Sequence, residues 1–198
     1  MQHNLLDGDT YQQEVITIVF NEEMLKGFTG YDKDNPQEYF KLHPKAKKPP
    51  FEALWKKSRY GMIPSINVFL NCPDRRVQNS WEQHLKEYCE YCMTEQNIKH
   101  NYIEKCFILV IQFKPTKSKS DPSNLYAKPF EDAMVERELL VDDNYQIVRL
   151  HMEYEVFSKN DAHSEIRIYP IYDEIFDFEF VLSFIKQDLC RLERSLNT

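Results

Sequence analysis

Hydrophobic and polar positions alternate most cleanly between residues 148 and 156, where Val148, Leu150, Met152, Tyr154 and Val156 are interleaved with Arg149, His151, Glu153 and Glu155. A period of two puts the first set on one face of a strand and the second on the other, which predicts a half-buried strand. Lys159, Asn160 and Asp161 supply a turn, and Ile166 and Ile168 resume the alternation, so a β-hairpin is expected over 146–171. Residues 106–113 (CFILVIQF) are apolar almost throughout, as a central strand buried on both faces requires. The β-branched run at 15–20 (VITIVF) predicts another strand, and residues 66–70 a further short one.

Helical spacing takes over elsewhere. Trp81, Leu85, Tyr88, Cys89 and Cys92 recur at intervals of three and four, which predicts a helix over 80–96 with Ser80 as its N-cap. Residues 130–140 form a second candidate. A third covers 173–195, with Asp173, Glu174, Asp177 and Glu179 crowding its start and Lys186, Arg191 and Arg194 its end, the order a helix macrodipole favours. Residues 21–63 have weak periodicity and several breakers. The resulting order of strands and helices predicts an α/β or α+β fold, a sheet with helices packed on it. No internal repeat and no Gly/Ser-rich linker interrupts the chain, so 1–198 reads as one domain.

Composition sharpens this only in part. With 42% hydrophobic residues, 14% of all residues aromatic, the 198-residue chain can bury a core. Its N-terminal segment has neither the basic start nor the apolar stretch of a secretory signal. Its longest apolar run, 106–111, is far short of the roughly 18 residues a membrane span needs. Five cysteines, an odd number, then suggest reduced thiols in a cytosol-like compartment. Cys89 and Cys92 fall on the apolar face of a predicted helix without a second such pair, which favours core packing over zinc. Neither a phosphate-cradling glycine loop nor a GxSxG elbow occurs.

A net charge of -7 and a pI near 5.4 argue against a generic polyanion binder. The charge is segregated, however. Residues 1–40 hold eight acids and two bases, whereas 41–59 hold seven bases (Lys41, Lys45, Lys47, Lys48, Lys56, Lys57 and Arg59) and one acid, Glu52. Lys114, Lys117 and Lys119 form a second basic cluster just before Asp121. Local patches set where a polyanion docks. Phe51, Trp55 and Tyr60 stand among the first group of lysines, an interleaving that suits stacking on unpaired bases as well as core packing.

Asp121, Asn124, Lys128, Asp132, Asp142 and Asp143 make an acidic constellation between the apolar strand and the alternating one. Taken alone, Asp142-Asp143-Asn144 reads as a turn and Asp132 as a solvated helix position. If the loops at the strand ends converge, the carboxylates can hold Mg²⁺, a hard cation that takes oxygen ligands. A metal so held polarises a phosphodiester and activates water, and a nearby lysine stabilises the developing charge.

These residues resemble the pattern of the RusA-type Holliday junction resolvases of bacteria and their phages. That pattern runs strand, basic loop, Asp-x-Asp-Asn-x-x-Lys, a helix with Asp-Ala-Leu, then Asp-Asp and a hairpin. Here it is matched by 106–113, 114–120, Asp121-Pro122-Ser123-Asn124-Leu125-Tyr126-Ala127-Lys128, Asp132-Ala133-Met134, Asp142-Asp143 and 146–171. Pro64-Ser65-Ile66-Asn67 is similar to a turn near that family's N-terminus. The resemblance implies a RusA-like mixed sheet with a motif core at 105–171, an N-terminal insert at 21–63 and an added C-terminal helix at 173–195. It implies a Mg²⁺-dependent, homodimeric endodeoxyribonuclease of the bacterial or phage cytoplasm that nicks four-way DNA junctions in recombination or repair. By position, Asp121 and Asp143 would bind metal and Lys128 assist at the phosphate, with Asp142 as a further metal ligand. Ser123, Asn124 and Asp132 would support the site, and Lys45, Lys47, Lys48, Lys56, Lys57, Lys114, Lys117 and Lys119 would contact DNA. The stretch is one residue longer than the pattern, and Ser123, or Asn124 if the extra residue is placed earlier, stands where the pattern has its second aspartate. The alternative is therefore a catalytically degenerate relative that binds branched DNA or a protein partner without cutting.

Overall fold

The computed structural model describes residues 15–58, 61–99, 101–115, 125–171 and 178–196. In chain order these form β1 (Ile16–Phe20), α1 (Glu22–Thr29), α2 (Pro36–Leu42), α3 (Glu52–Ser58), α4 (Ile66–Leu70), α5 (Arg75–Glu95), β2 (Cys106–Lys114), α6 (Lys128–Glu136), β3 (Val148–Phe157), β4 (His163–Pro170) and α7 (Phe178–Leu196). The fold is α+β, with one mixed four-stranded sheet of order β1-β4-β2-β3.

β2 is the axis of the molecule. Eight of its residues, Cys106 through Phe113, are buried. Cys106, Ile108 and Val110 pack with Leu85, Cys89, Phe130 and Ile168 on the side of α5 and α6. Phe107, Leu109, Ile111 and Phe113 pack with Tyr169 and with Ile185 and Leu189 of α7 on the other. A strand covered on both faces can be apolar at every position, because neither face meets water. Cys89 and Cys92 are both fully buried, as core thiols, and all five cysteines are free. Burial lifts the Cys92 thiol to about 12, which keeps it protonated.

The expected hairpin does not form. β3 runs parallel to β2, with Val110 opposite Glu153, while β4 is antiparallel to both β2 and β1. β2 therefore lies between the two strands that the turn at 158–162 connects. Such a turn crosses two strand spacings, about 10 Å, which five residues reach easily. The alternation marks strands and a turn correctly. It says nothing about which strand edges pair.

Three local expectations also give way to capping chemistry. Residues 66–70 form a helix, not a strand. The Ser65 side chain accepts a hydrogen bond from Asn67 N at 3.3 Å, and the Asn71 N–H closes the other end on Asn67 O. The long helix is capped by Asp74, which accepts from Arg76 N at 2.8 Å, so Ser80 lies inside it. Nor does the helix expected over 130–140 hold those bounds: α6 covers Lys128–Glu136. It ends in a left-handed Glu138 (φ 58°), with Leu139 N bonded to Met134 O and Glu138 N to Val135 O. That Schellman geometry releases Leu140 to bridge Ile103.

The insert is stitched into the core. Leu54, Trp55 and Ile63 belong to the main hydrophobic cluster, and Tyr88 Oη donates to Asn21 O and Gly61 O at 2.9 and 3.0 Å. Phe51 stacks on His84 with ring centroids 3.6 Å apart, and Trp55 is 1% exposed. These two rings are core residues, unavailable to stack on bases, while Tyr60 lies outside the described residues. No helix among the described residues is long and apolar enough to cross a membrane.

Candidate active site

The site grows from the start of α6. Pro129 occupies the first helical turn, where its missing N–H costs nothing, and the helix begins one residue earlier, at Lys128. Helical spacing of four then sets Asp132 beside it, with Nζ 2.8 Å from Oδ1. The same ammonium reaches the Asp143 carboxylate, in the segment that leads into β3. Partial burial works against the charge of Lys128, but the hydrogen bonds it donates to Asp132 and Asp143 outweigh it and raise its pKa. Asp132 is also partly buried, and Lys128 and Lys86 together hold its carboxyl below the ordinary range. Lys86 comes from α5 and approaches Asp132 Oδ2 at 3.5 Å and Glu136 Oε1 at 2.5 Å.

Asp142 serves its own turn. Its Oδ1 accepts from Asp143 N at 2.7 Å and its Oδ2 from Asn144 Nδ2 at 2.6 Å, which holds its carboxyl low. Asn144 Oδ1 accepts in turn from Gln146 N at 2.8 Å. The plain turn reading thus holds for Asp142, while its neighbour Asp143 turns toward Lys128.

The route by which these residues meet differs from the expected convergence of loops at one sheet edge. Because β2 and β3 are parallel, the segment leaving β2 and the segment entering β3 attach at opposite ends of the pair. α6 and its side chains bridge that distance along the flank of β3. Leu125 N donates to Glu153 Oε2 at 3.2 Å, halfway along the strand, and Lys128 covers the rest with its long side chain. Asp121, Ser123, Asn124, Lys117 and Lys119 lie outside the described residues.

Several neighbours escaped the sequence reading. Glu131 Oε1 is shut off from water and lies 2.7 Å from His151 Nδ1, so it is satisfied when that nitrogen carries a proton. Burial opposes charge on His151, but the Glu131 hydrogen bond, with Glu153 nearby, raises its pKa. Tyr126 Oη donates to Glu82 Oε1 at 2.5 Å. The polar positions of β3 pointed to His151 and Glu153 as one face of a strand. Nothing local signalled Lys86 or Glu82, which reach the site from a helix more than forty residues away.

Among the described residues, no group of three or more His, Cys, Asp or Glu side chains is placed to hold a metal ion. Asp142 and Asp143 nonetheless suit a hard cation in kind, being adjacent carboxylates with oxygen lone pairs to spare. Of the expected DNA contacts, Lys45, Lys47, Lys48 and Lys56 are exposed. Lys57 lies in α3. Lys114 is ion-paired with Glu155 and half-buried, so a phosphate would have to compete with that carboxylate. No protein-family model matches this chain, and no curated protein matches it.

Proposed function

We propose that this chain is a Mg²⁺-dependent endonuclease that nicks branched DNA, such as a four-way junction, in recombination, repair or phage DNA processing. The observation that carries the reading is the contact of Lys128 with Asp143, with Asp132 completing the cluster. These are residues that the RusA-type pattern assigns to phosphate, metal and support. Asp143 and Asp142, with Asp121, would hold the ion, which supplies Lewis-acid polarisation of the phosphodiester and an acidified water. Lys128 keeps its proton and turns its ammonium toward the phosphoryl oxygen as negative charge builds there. Asp132 retains it within reach of the site. The exposed lysines of 41–56 supply the counter-charge for the DNA backbone. Symmetric nicking asks for a two-fold pair of sites, hence a homodimer, in the cytoplasm of a bacterium or of a phage-infected cell.

The test is nicking of a synthetic four-way junction with and without Mg²⁺. Wild type is expected to cut only with the ion, and Asp143→Asn and Lys128→Met to lose about 100-fold or more in rate. A second reading, a binder that does not cut, draws on the two engaged oxygens of Asp142 and on Ser123. Binding without nicking, with cutting restored by Ser123→Asp, would establish it instead.

A further inference from the structure

α2 is a helix of seven residues that buries none of its side chains. A helix that short is marginal in water and gains little from the core. It is held instead by a ring cluster of its own. Tyr39 meets Tyr31 edge-on at 5.5 Å and Phe40 at 5.5 Å, and the His43 imidazole lies 4.5 Å from the Tyr39 ring at an interplanar angle of 36°. His43 is exposed and Tyr39 half-buried, so this tilted pair of rings lies at the surface. Lys45, Lys47 and Lys48 follow directly, all exposed. On the N-terminal side of α2, Asp32 and Glu22 are already paired, Lys26 taking Asp32 at 2.6 Å and Lys33 taking Glu22. Ring faces and positive charge are therefore concentrated together on the C-terminal side of α2.

We propose that the tilted Tyr39–His43 ring pair and the lysines after it form a binding site for single-stranded DNA, the exposed His43 imidazole and Tyr39 taking an unpaired base and Lys45, Lys47 and Lys48 its phosphates. A base within a strand presents its face to a further ring only when it is unpaired and splayed, and the sequence-tolerant grip of such sites combines stacking with backbone charge. The interior of an intact duplex offers the phosphates without the free base face. The assignment rests on the nucleic-acid reading above and narrows its substrate to DNA with unpaired bases near the branch.

The experiment is fluorescence anisotropy of the full chain with a labelled oligo-dT and with a duplex of equal length. The oligo-dT is expected to bind more tightly than the duplex. His43→Ala and Tyr39→Ala should each weaken it about fivefold or more while leaving duplex binding unchanged. Lys47→Ala should weaken both ligands and lower the single-strand salt slope by about 0.7. Should Tyr39→Ala disturb the lobe by circular dichroism, Tyr39→Trp serves in its place: its added indole emission should be quenched by oligo-dT. Equal binding of the two ligands, insensitivity to both ring variants, or no quenching would overturn the site. Junction nicking by a protein that ignores oligo-dT would remove this proposal alone. Ring-dependent oligo-dT binding without nicking would uphold it and remove the nuclease.

Discussion

Trp55 Nε1 donates to His84 Nε2 at 3.0 Å in the interior, so the acceptor nitrogen must be unprotonated and the His84 proton sits on Nδ1. Burial lowers the imidazole to about 4. The unfolded chain takes up this proton near pH 6.5 and the folded chain only near 4. Between those values the unfolded state binds more protons, so the fold loses up to about 1.4 kcal/mol per pH unit as pH falls. His84→Gln keeps an acceptor and cannot titrate. Urea unfolding at pH 6.5 and 4.5 should therefore show a smaller loss in the variant than in wild type, and equal losses would contradict the account. His151 and His163 have raised values and act in the opposite sense. They are common to both proteins and cancel in the comparison. Phe51, stacked on the same imidazole, shows why a ring among lysines in the sequence need not be a ligand contact: its neighbours in space are core residues from α5.

Elements are held by devices that single residues operate. α7 covers one face of the sheet through Ile185 and Leu189, and a polar latch sets its position. Asp188 Oδ2 accepts from Arg167 Nη1 at 2.6 Å and from Tyr169 Oη at 2.8 Å, while Arg167 Nε donates to Glu165 at 2.7 Å. Asp188→Ala leaves a half-buried guanidinium and a largely buried phenol short of a partner. It should cost about 1–3 kcal/mol in urea unfolding. The end of α6 offers the opposite case. Glu138 sits at φ 58°, a conformation that glycine adopts without a Cβ penalty. Glu138→Gly should stabilise the protein by about 0.5–1 kcal/mol in the same assay. The edge of β1 is closed by a side chain in place of a strand: Gln96 donates to Val19 O and accepts from Val19 N, both at 2.9 Å. That blunts one edge of the sheet against pairing with another chain.

At the scale of the whole molecule, charge is sorted against its own mean. The chain carries -7, yet exposed lysines gather in the lobe after α2 while acids gather around α6 and the entry to β3. If the lobe is where a polyanion docks, replacing Lys45, Lys47 and Lys48 together by alanine should lower the slope of log binding constant against log salt by about 2–3 for duplex DNA. An unchanged slope would move the docking face elsewhere. Much of this architecture was legible in the order of residues. The strands at 15–20, 106–113 and 148–156 follow from period-two alternation or unbroken apolarity, and the core role of Cys89 and Cys92 from their helical spacing. Those signals are local, because side-chain direction repeats with the backbone itself. The one-turn relation of Lys128 to Asp132 was not readable, because the helix expected over 130–140 left Lys128 outside it, whereas α6 starts at Lys128. Nor was pairing. Whether β4 lies beside β3 or across β2, whether α6 draws Lys128 to Asp143, and which lysine from α5 joins Asp132 depend on contacts between residues 15 to more than 40 positions apart. Short caps such as Ser65 and Asp74 also decided element type and start where the hydrophobic pattern was too brief to do so. The amino-acid order alone thus determined the main strands, the long helix with its buried face and the residues able to do chemistry. Only the tertiary structure decided the sheet order and the ion-paired cluster, since both arise from which surfaces meet once the fully apolar β2 has been covered on both faces and both edges.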